Sequence, residues 1–414
     1  MKEEKAHWRV LRPTTWPAPP ADMSVSTHAE IDECPRRWAL GAAEYPDVWR
    51  GHGYPPKLQV AGLAGSVVHL ALEIITKRLT RAGVPSLDDP LATKVLRGLG
   101  GYTRVVEDSV ESVLKRFADN PRAIALMEHA HRTLRGQVPA LRGRVQSMLA
   151  RLRLPAGGLP MPAAPVPMMT QKPTRNPLTS GAYPEVELRA KSIGWKGKAD
   201  LLVLADDTCE ITDFKTGTPN EHHKFQVRVY AALWRMDEEL NPSGRVVDRL
   251  VLAYGSHDVE VPPPNADEID ELGRDLLARR QAAEAALAAR PPSAHPHPET
   301  CRYCSVRHMC AEYWTAGTQL RMWETLGNRS VADASIIITG RHGPSSWDAF
   351  VRSSAVAKHG QPALLRGDGR QLPLHPGQEV RLISVHVNPY LEEADSDPDI
   401  VFTLSATSEV FLAP

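Results

Sequence analysis

Asp213 and Lys215 stand two apart in "CEITDFKTG", residues 209–217, near the end of a β-branched run that a glycine then breaks. Strand alternation puts Cys209, Ile211, Asp213 and Lys215 on one face and Glu210, Thr212 and Phe214 on the other. Just upstream, "WKGKADLLVL" sets Asp200 at the head of an apolar strand. If the two strands pair as antiparallel neighbours, the start of one lies beside the end of the other, and two carboxylates and an amine meet at one edge of the sheet. Two close carboxylates resist joint ionisation unless a cation sits between them. Oxygen ligands on a partly open site suit Mg2+ or Mn2+, which lowers the pKa of water and neutralises charge on a phosphoryl oxygen. A lysine beside such an ion can orient or deprotonate the attacking water. Each residue alone reads as an ordinary strand-end charge; together they are the minimum equipment for phosphodiester hydrolysis.

A second group lies in "CRYCSVRHMC", where Cys301, Cys304 and Cys310 make C-x2-C-x5-C. In a reducing compartment this spacing points to metal rather than cystine. Three thiolates need a fourth ligand to close a tetrahedral zinc or a [4Fe–4S] cluster, and Cys34, His308, His295 and His297 are the candidates. The fifth cysteine, Cys209, sits in the apolar half of its strand and reads as a core residue.

The elements that must position these groups follow from periodicity. "SVSTHAEIDECPRRWAL" carries serine N-cap candidates and then a helix-like run ending near Leu40, and Leu63, Val67, Leu70, Ile74 and Leu79 approximate one stripe of a helix that contains His69. Residues 92–153 stay mostly helical, and between Glu128 and Glu185 there is no acidic residue. Arginines in that stretch, among them Arg142, Arg144 and Arg151, read either as a solvated helix face or as a phosphate-contacting surface. Three sequential strands follow ("AYPEVELRA", "KGKADLLVLA", "TCEITDFKT"), then a helix, a strand and a long alanine-rich helix. This order predicts a meander whose crossover helix returns the chain for a parallel fourth strand, an α/β (α+β) mixed sheet with helices packed on it. Beyond about Ser330, short strand-like segments with glycine and proline turns predict a small all-β barrel or sandwich, for which an OB-like nucleic-acid module is one form. The expected division is an N-terminal extension (1–23), a helical part (24–154), a proline-rich linker or insert (155–180), the sheet-bearing core with the cysteines (181–314) and the β domain (328–414).

The pattern resembles the RecB-type exonucleases of the PD-(D/E)XK superfamily. The matching parts are "GSVVH" with His69, "GKAD" with Asp200, "EITDFKTG" with Asp213 and Lys215, and "QVRVY" with Gln226 and Tyr230, over roughly residues 24–310. The resemblance implies a restriction-endonuclease-like fold in which Asp200 and Asp213 bind the metal, His69 adds a ligand and Lys215 positions water. It makes Glu187 an accessory ligand, with Glu185 competing for that role, and Gln226 and Tyr230, four apart on one helix face, contacts to a DNA strand. Cys34 with Cys301, Cys304 and Cys310 resembles the iron–sulfur subgroup of the family, the AddB nuclease domain and the CRISPR-associated adaptation exonucleases, and so implies a structural [4Fe–4S] cluster, with zinc as the alternative.

The implied activity is that of a metal-dependent DNA exonuclease on single strands or DNA ends, in repair, recombination or phage defence. The competing class is a DNA-binding or scaffolding subunit that works beside a helicase or another defence or repair protein. The chain has no G-x-x-x-x-G-K-[ST] loop to power unwinding itself. Lysine plus arginine equals aspartate plus glutamate, so any electrostatic footprint is local. The start lacks a signal-peptide apolar core and no run is long enough to cross a bilayer, so a cytoplasmic protein without membrane contact is expected.

Overall fold

The computed structural model describes residues 9–49, 52–155, 175–315, 323–326, 329–367, 369, 372–388 and 400–414. Most of the expected proline-rich segment, 156–174, lies outside the described residues, as do residues 1–8 of the N-terminal extension. None of the helices among the described residues is long and apolar enough to cross a membrane.

The chain opens with α1 (Val25–Glu33) and α2 (Pro35–Ala42), which meet at Cys34: it is the C-cap of the first and the N-cap of the second. Ser24 caps α1 by accepting from the Thr27 N–H, and Pro35 at the first position of α2 presets the helical φ. Then come α3 (Val60–Arg81), α4 (Pro90–Gly98), α5 (Gly101–Lys115) and α6 (Met127–Arg151). The central sheet is built from β1 (Gly181–Ala190), β2 (Trp195–Leu204), β3 (Cys209–Lys215), β4 (Arg249–Tyr254) and β5 (Asp258–Val261), with α7 (Glu221–Met236) crossing from β3 to β4 and α8 (Ala266–Ala288) following. Its order is β1-β2-β3-β4-β5, with β3 and β4 parallel and the other neighbours antiparallel, the meander and crossover that the sequence predicts.

Each face of this sheet has its own core. On one face α3, α5 and α6 bury Val67, Val68, Leu72, Val106 and Leu134 against Leu201 and Phe214. On the other, α7 and α8 bury Val227, Leu233 and Leu276 against Leu202, Ile211 and Leu250. The α3 helix has no side-chain cap and is held by packing. Because it is covered from several sides, its buried face is wider than a single stripe: Val68, Ala71, Leu72 and Ile75 are fully buried, whereas Leu70 and Ile74 are only partly so.

The short helices α9 (Pro298–Cys301) and α10 (Ala311–Thr315) bracket the cysteine segment. After them come β6 (Trp323–Leu326), β7 (Arg329–Gly343), β8 (Ser346–Ser354), β9 (Pro362–Arg366), β10 (Glu379–Val387), β11 (Ile400–Thr403) and β12 (Glu409–Leu412). Strand β10 pairs with both β11 and β7, so β7-β8-β9-β11-β10 closes on itself, with β9 and β11 parallel. This closed five-strand ring has OB-type strand order, and alternate residues such as Ala334, Ile336, Trp347, Leu365, Leu382 and Phe402 fill it.

The barrel is joined to the rest of the protein by buried charge. Asp333 on β7 receives Arg307 at 2.6 Å, the Tyr313 hydroxyl at 2.7 Å and the Ser384 N–H at 2.8 Å. Ser384 sits at φ 55° where the register of β10 shifts. Glu409 on β12 takes a two-pronged pair from Arg122 at 2.9 and 3.0 Å, with Lys57 at 3.3 Å. Desolvated pairs of this kind are strongly destabilising to break, about 3–5 kcal/mol when one partner is removed.

Candidate active site

The site forms where the end of β3 meets β2 and the flank of α3. Asp200 Oδ2 accepts a 2.6 Å hydrogen bond from the Phe214 N–H, which ties the carboxylate to the strand that carries Asp213 and Lys215. Its Oδ1 lies 3.6 Å from His69 Nδ1 on α3. Lys215 Nζ lies 2.6 Å from Asp213 Oδ2 and donates at 2.7 Å to Gln226 Oε1 on α7. Gln226 Nε2 then donates at 2.7 Å to the Tyr230 hydroxyl. Asn220 starts α7 by accepting from the His223 N–H, which fixes the helix register that brings Gln226 to Lys215.

Two glycines allow these elements to approach. A Cβ on Gly197 of β2 would stand 2.7 Å from Tyr230 Cε1 and 3.0 Å from a Leu233 methyl, so only glycine lets α7 lie this close. On the other face, a Cβ on Gly65 would stand 2.9 Å from Thr216 Oγ1, where α3 passes the end of β3.

The electrostatics of the cluster are unbalanced. Asp213 is 3% exposed, and its Oδ2 is paired with the Lys215 ammonium at 2.6 Å. Burial, and then the neighbouring Asp200 charge, push the Asp213 carboxyl above its ordinary range against the pull of Lys215. Burial opposes protonation of His69, but the Asp200 hydrogen bond and the Asp200 and Asp213 charges outweigh it and raise the imidazole pKa. Among the described residues no three His, Cys, Asp or Glu side chains are gathered closely enough to close on an ion as they stand. The donor chemistry still fits a hard divalent cation: two carboxylates and an imidazole, one of the carboxylates buried.

Asp200 sits at a break in strand alternation. Trp195 and Ala199 pack on the α7 side, Leu201 packs on the α3 side, and Leu202 returns to the α7 side. Opposite Asp200, Glu185 takes φ 60°, and the 185–200 pair is missing from a ladder that otherwise keeps its register. Left-handed backbone at a glutamate costs roughly 1 kcal/mol. It goes with the turn of Glu185 into an open cleft of about 410 Å³ that His69, Glu73, Arg116, Lys198 and Asp200 also line. Glu185 forms an ion pair with Lys198 there, and burial raises its pKa. Glu187, the residue expected beside the metal, is instead exposed and pairs with Arg189 at 2.5 Å, so Glu185 is the glutamate at the cleft. Of the two glutamates that the resemblance offers for the accessory role, Glu185 is the one that lines the cleft.

The family model described as the PD-(D/E)XK nuclease superfamily matches residues 22–311. The chain belongs to the PD-(D/E)XK nuclease superfamily. Membership implies nuclease chemistry of the kind generally run with Mg2+ or Mn2+. No curated protein matches the chain. Among solved structures, the crystal structure of SSO0001 is 23% identical over 31% of this chain and 60% of that one, with a TM-score of 0.21. A murine DNA binding protein bound with double-stranded DNA is 8% identical over 56% of this chain and 94% of that one, with a TM-score of 0.15. Likeness at these scores carries no argument.

Other residues of this PD-(D/E)XK chain fall less uniformly. Gln226 is half-buried and Tyr230 buried, so both stand behind Lys215 rather than on an open face for a strand of DNA. Arg151 is partly exposed and already engaged, by Asp258 at 2.9 Å, by Ser147 and by the Tyr254 carbonyl. Arg142 and Arg144 are exposed on α6, Arg142 within 3.4 Å of Thr103 Oγ1.

Cys34, Cys301, Cys304 and Cys310 are all buried and unpaired, and all four line one small cavity. Burial pushes the Cys301, Cys304 and Cys310 thiols up, Cys304 to about 11 and Cys310 to about 12, against the pull of nearby N–H groups and arginines. His308 is spent elsewhere: Nε2 lies 2.9 Å from the Tyr54 hydroxyl and the ring stacks on Phe411 at 3.7 Å. His295 lies at the cavity, its N–H on Cys34 Sγ at 3.5 Å, and His297 is the N-cap of α9. Cys209 is fully buried in the sheet core.

Proposed function

We propose that this superfamily member is a metal-dependent deoxyribonuclease that degrades single-stranded DNA or DNA from its ends. The observation that carries the reading is the meeting of His69, Asp200, Asp213 and Lys215 from three elements, with the Asp213 carboxylate buried beside Lys215. Asp200, Asp213 and His69 would hold the cation, with Glu185 at its side. A divalent ion bound there supplies Lewis acidity toward water and toward a phosphoryl oxygen. Lys215, held as the ammonium by Asp213 and Gln226, would orient the attacking water and offset the charge that builds on the phosphoryl oxygens, while the water's proton passes to solvent. In-line attack then breaks the phosphodiester bond.

The same reading assigns Cys34, Cys301, Cys304 and Cys310 to a [4Fe–4S] cluster. Its support is four buried thiols around a cavity rather than a point, with the histidine alternative His308 already engaged. A cluster there joins the α1–α2 corner to the segment after α8 and is structural.

The test is Mg2+- or Mn2+-dependent release of nucleotides from end-labelled linear single strands, with a covalently closed circular single strand as control. Degradation of the linear strand alone supports end-dependent cleavage. Metal-dependent cutting that survives both Asp213→Ala and Lys215→Ala rules the site out.

A further inference from the structure

The cleft beside Asp200 holds three carboxylates and two cations whose pairings are uneven. Glu73 is neutralised by Lys77 at 2.5 Å, Glu185 by Lys198, and Asp200 faces His69. Arg116, which follows α5 at the mouth of the cleft, is exposed and has no ion-pair partner among the described residues. Lys198 is two residues from Asp200 on β2, with 57% of its side chain in solvent, so its ammonium can keep Glu185 and still meet an incoming anion. Small residues of α3, Gly62, Gly65 and Ser66, line the same cleft and leave its space open. Two cations beside a hydrolytic centre match a polyanion whose charges recur along a chain.

We propose that Arg116 and Lys198 form a phosphate-binding rim that holds the nucleotide next to the one cleaved. The proposal deepens the nuclease reading and rests on it. Both are positioning residues: they hold the strand so that its scissile phosphate reaches Asp200 and Lys215, and they take no part in bond breaking. The strained Glu185 backbone has a place in this scheme, since the left-handed turn aims its carboxylate at Lys198 and fixes where that ammonium points.

The experiment measures binding of a fluorescent single-stranded oligonucleotide by anisotropy in EDTA, across a salt series, so that cleavage does not interfere. The proteins are wild type, Arg116→Ala, Lys198→Gln and the double variant, each checked for an unchanged thermal midpoint. Single-strand contacts contribute about 0.7 each to the slope of log K against log salt, so the double variant should lose about 1.4 of slope and bind about tenfold more weakly at low salt. In steady state the KM of Arg116→Ala should rise. Arg116→Ala, an exposed change, should show half the slope loss even if Lys198→Gln disturbs Glu185. A wild type that cuts DNA while the variants bind with unchanged affinity and slope overturns the rim and leaves the nuclease standing. A wild type that neither binds nor cuts removes both.

Discussion

Gln226 Oε1 accepts a 2.7 Å hydrogen bond from Lys215 Nζ, and the same amide donates to Tyr230, so the lysine is held from behind by a helix that makes no other claim on it. Loss of this support should slow the chemical step. Gln226→Ala is expected to lower kcat by about 10- to 100-fold, within the range for mispositioned catalytic groups, with KM little changed. Lys215→Ala should lower it further. A Gln226→Ala protein whose kcat equals wild type would show that Lys215 needs no such brace.

Glu185 and Glu187 make an internal control. Glu185→Gln should weaken activation by Mg2+ or Mn2+, read as a higher metal concentration at half-maximal rate. Glu187→Gln, which removes only an exposed pair with Arg189, should leave that concentration and the rate as they are. The reverse outcome would return the accessory role to Glu187.

Gly197 offers a steric test. Gly197→Ala puts a methyl against the Tyr230 ring, and overpacking of this kind costs about 1–3 kcal/mol. A lower urea midpoint and reduced kcat should appear together, because the displaced ring carries Gln226 with it. An unchanged midpoint would mean that α7 can move away without loss.

Acid should loosen the joint between barrel and core. Burial raises the Glu409 pKa, but Arg122 and Lys57 overcome it and hold the carboxyl at about 2, below its ordinary 4.5. A depressed folded-state pKa contributes stability that is fully present above about pH 4.5 and lost as pH falls toward 2, here up to ~3 kcal/mol. Urea unfolding across that window should show wild type losing stability faster than Glu409→Gln, whose curve should be flatter.

Metal analysis separates the two readings of the cysteines. A [4Fe–4S] protein purified anaerobically is brown and carries about four irons per chain, whereas zinc would give one colourless ion. Cys34→Ser should remove the colour and lower the thermal midpoint. Stoichiometric zinc without iron would settle on the alternative.

How much of this was legible in sequence depends on how local each cause is. The alternation that sets Asp213 and Lys215 on one face is a property of seven residues, and the β3–α7–β4 crossover follows from element order. Arg151 was unreadable because its partners, Asp258 and the Tyr254 carbonyl, lie more than a hundred residues away and in another element. Sequence leaves Glu185 and Glu187 as competitors because both fall on one face by a period of two, and the left-handed backbone that turns Glu185 toward Lys198 is not written in that period. The ring closure of the barrel depends on β10 pairing with two distant strands, which no window of periodicity contains.

The segment 156–174 divides both centres. His69 and Cys34 precede it, while Asp200, Asp213, Lys215 and the other three cysteines follow it. Neither portion of the chain therefore carries a working centre by itself, yet α3, α5 and α6 from the first share one core with Leu201 and Phe214 from the second. Residues 1–155 and 175–414, expressed as separate polypeptides, should assemble and recover DNA cleavage that each lacks alone.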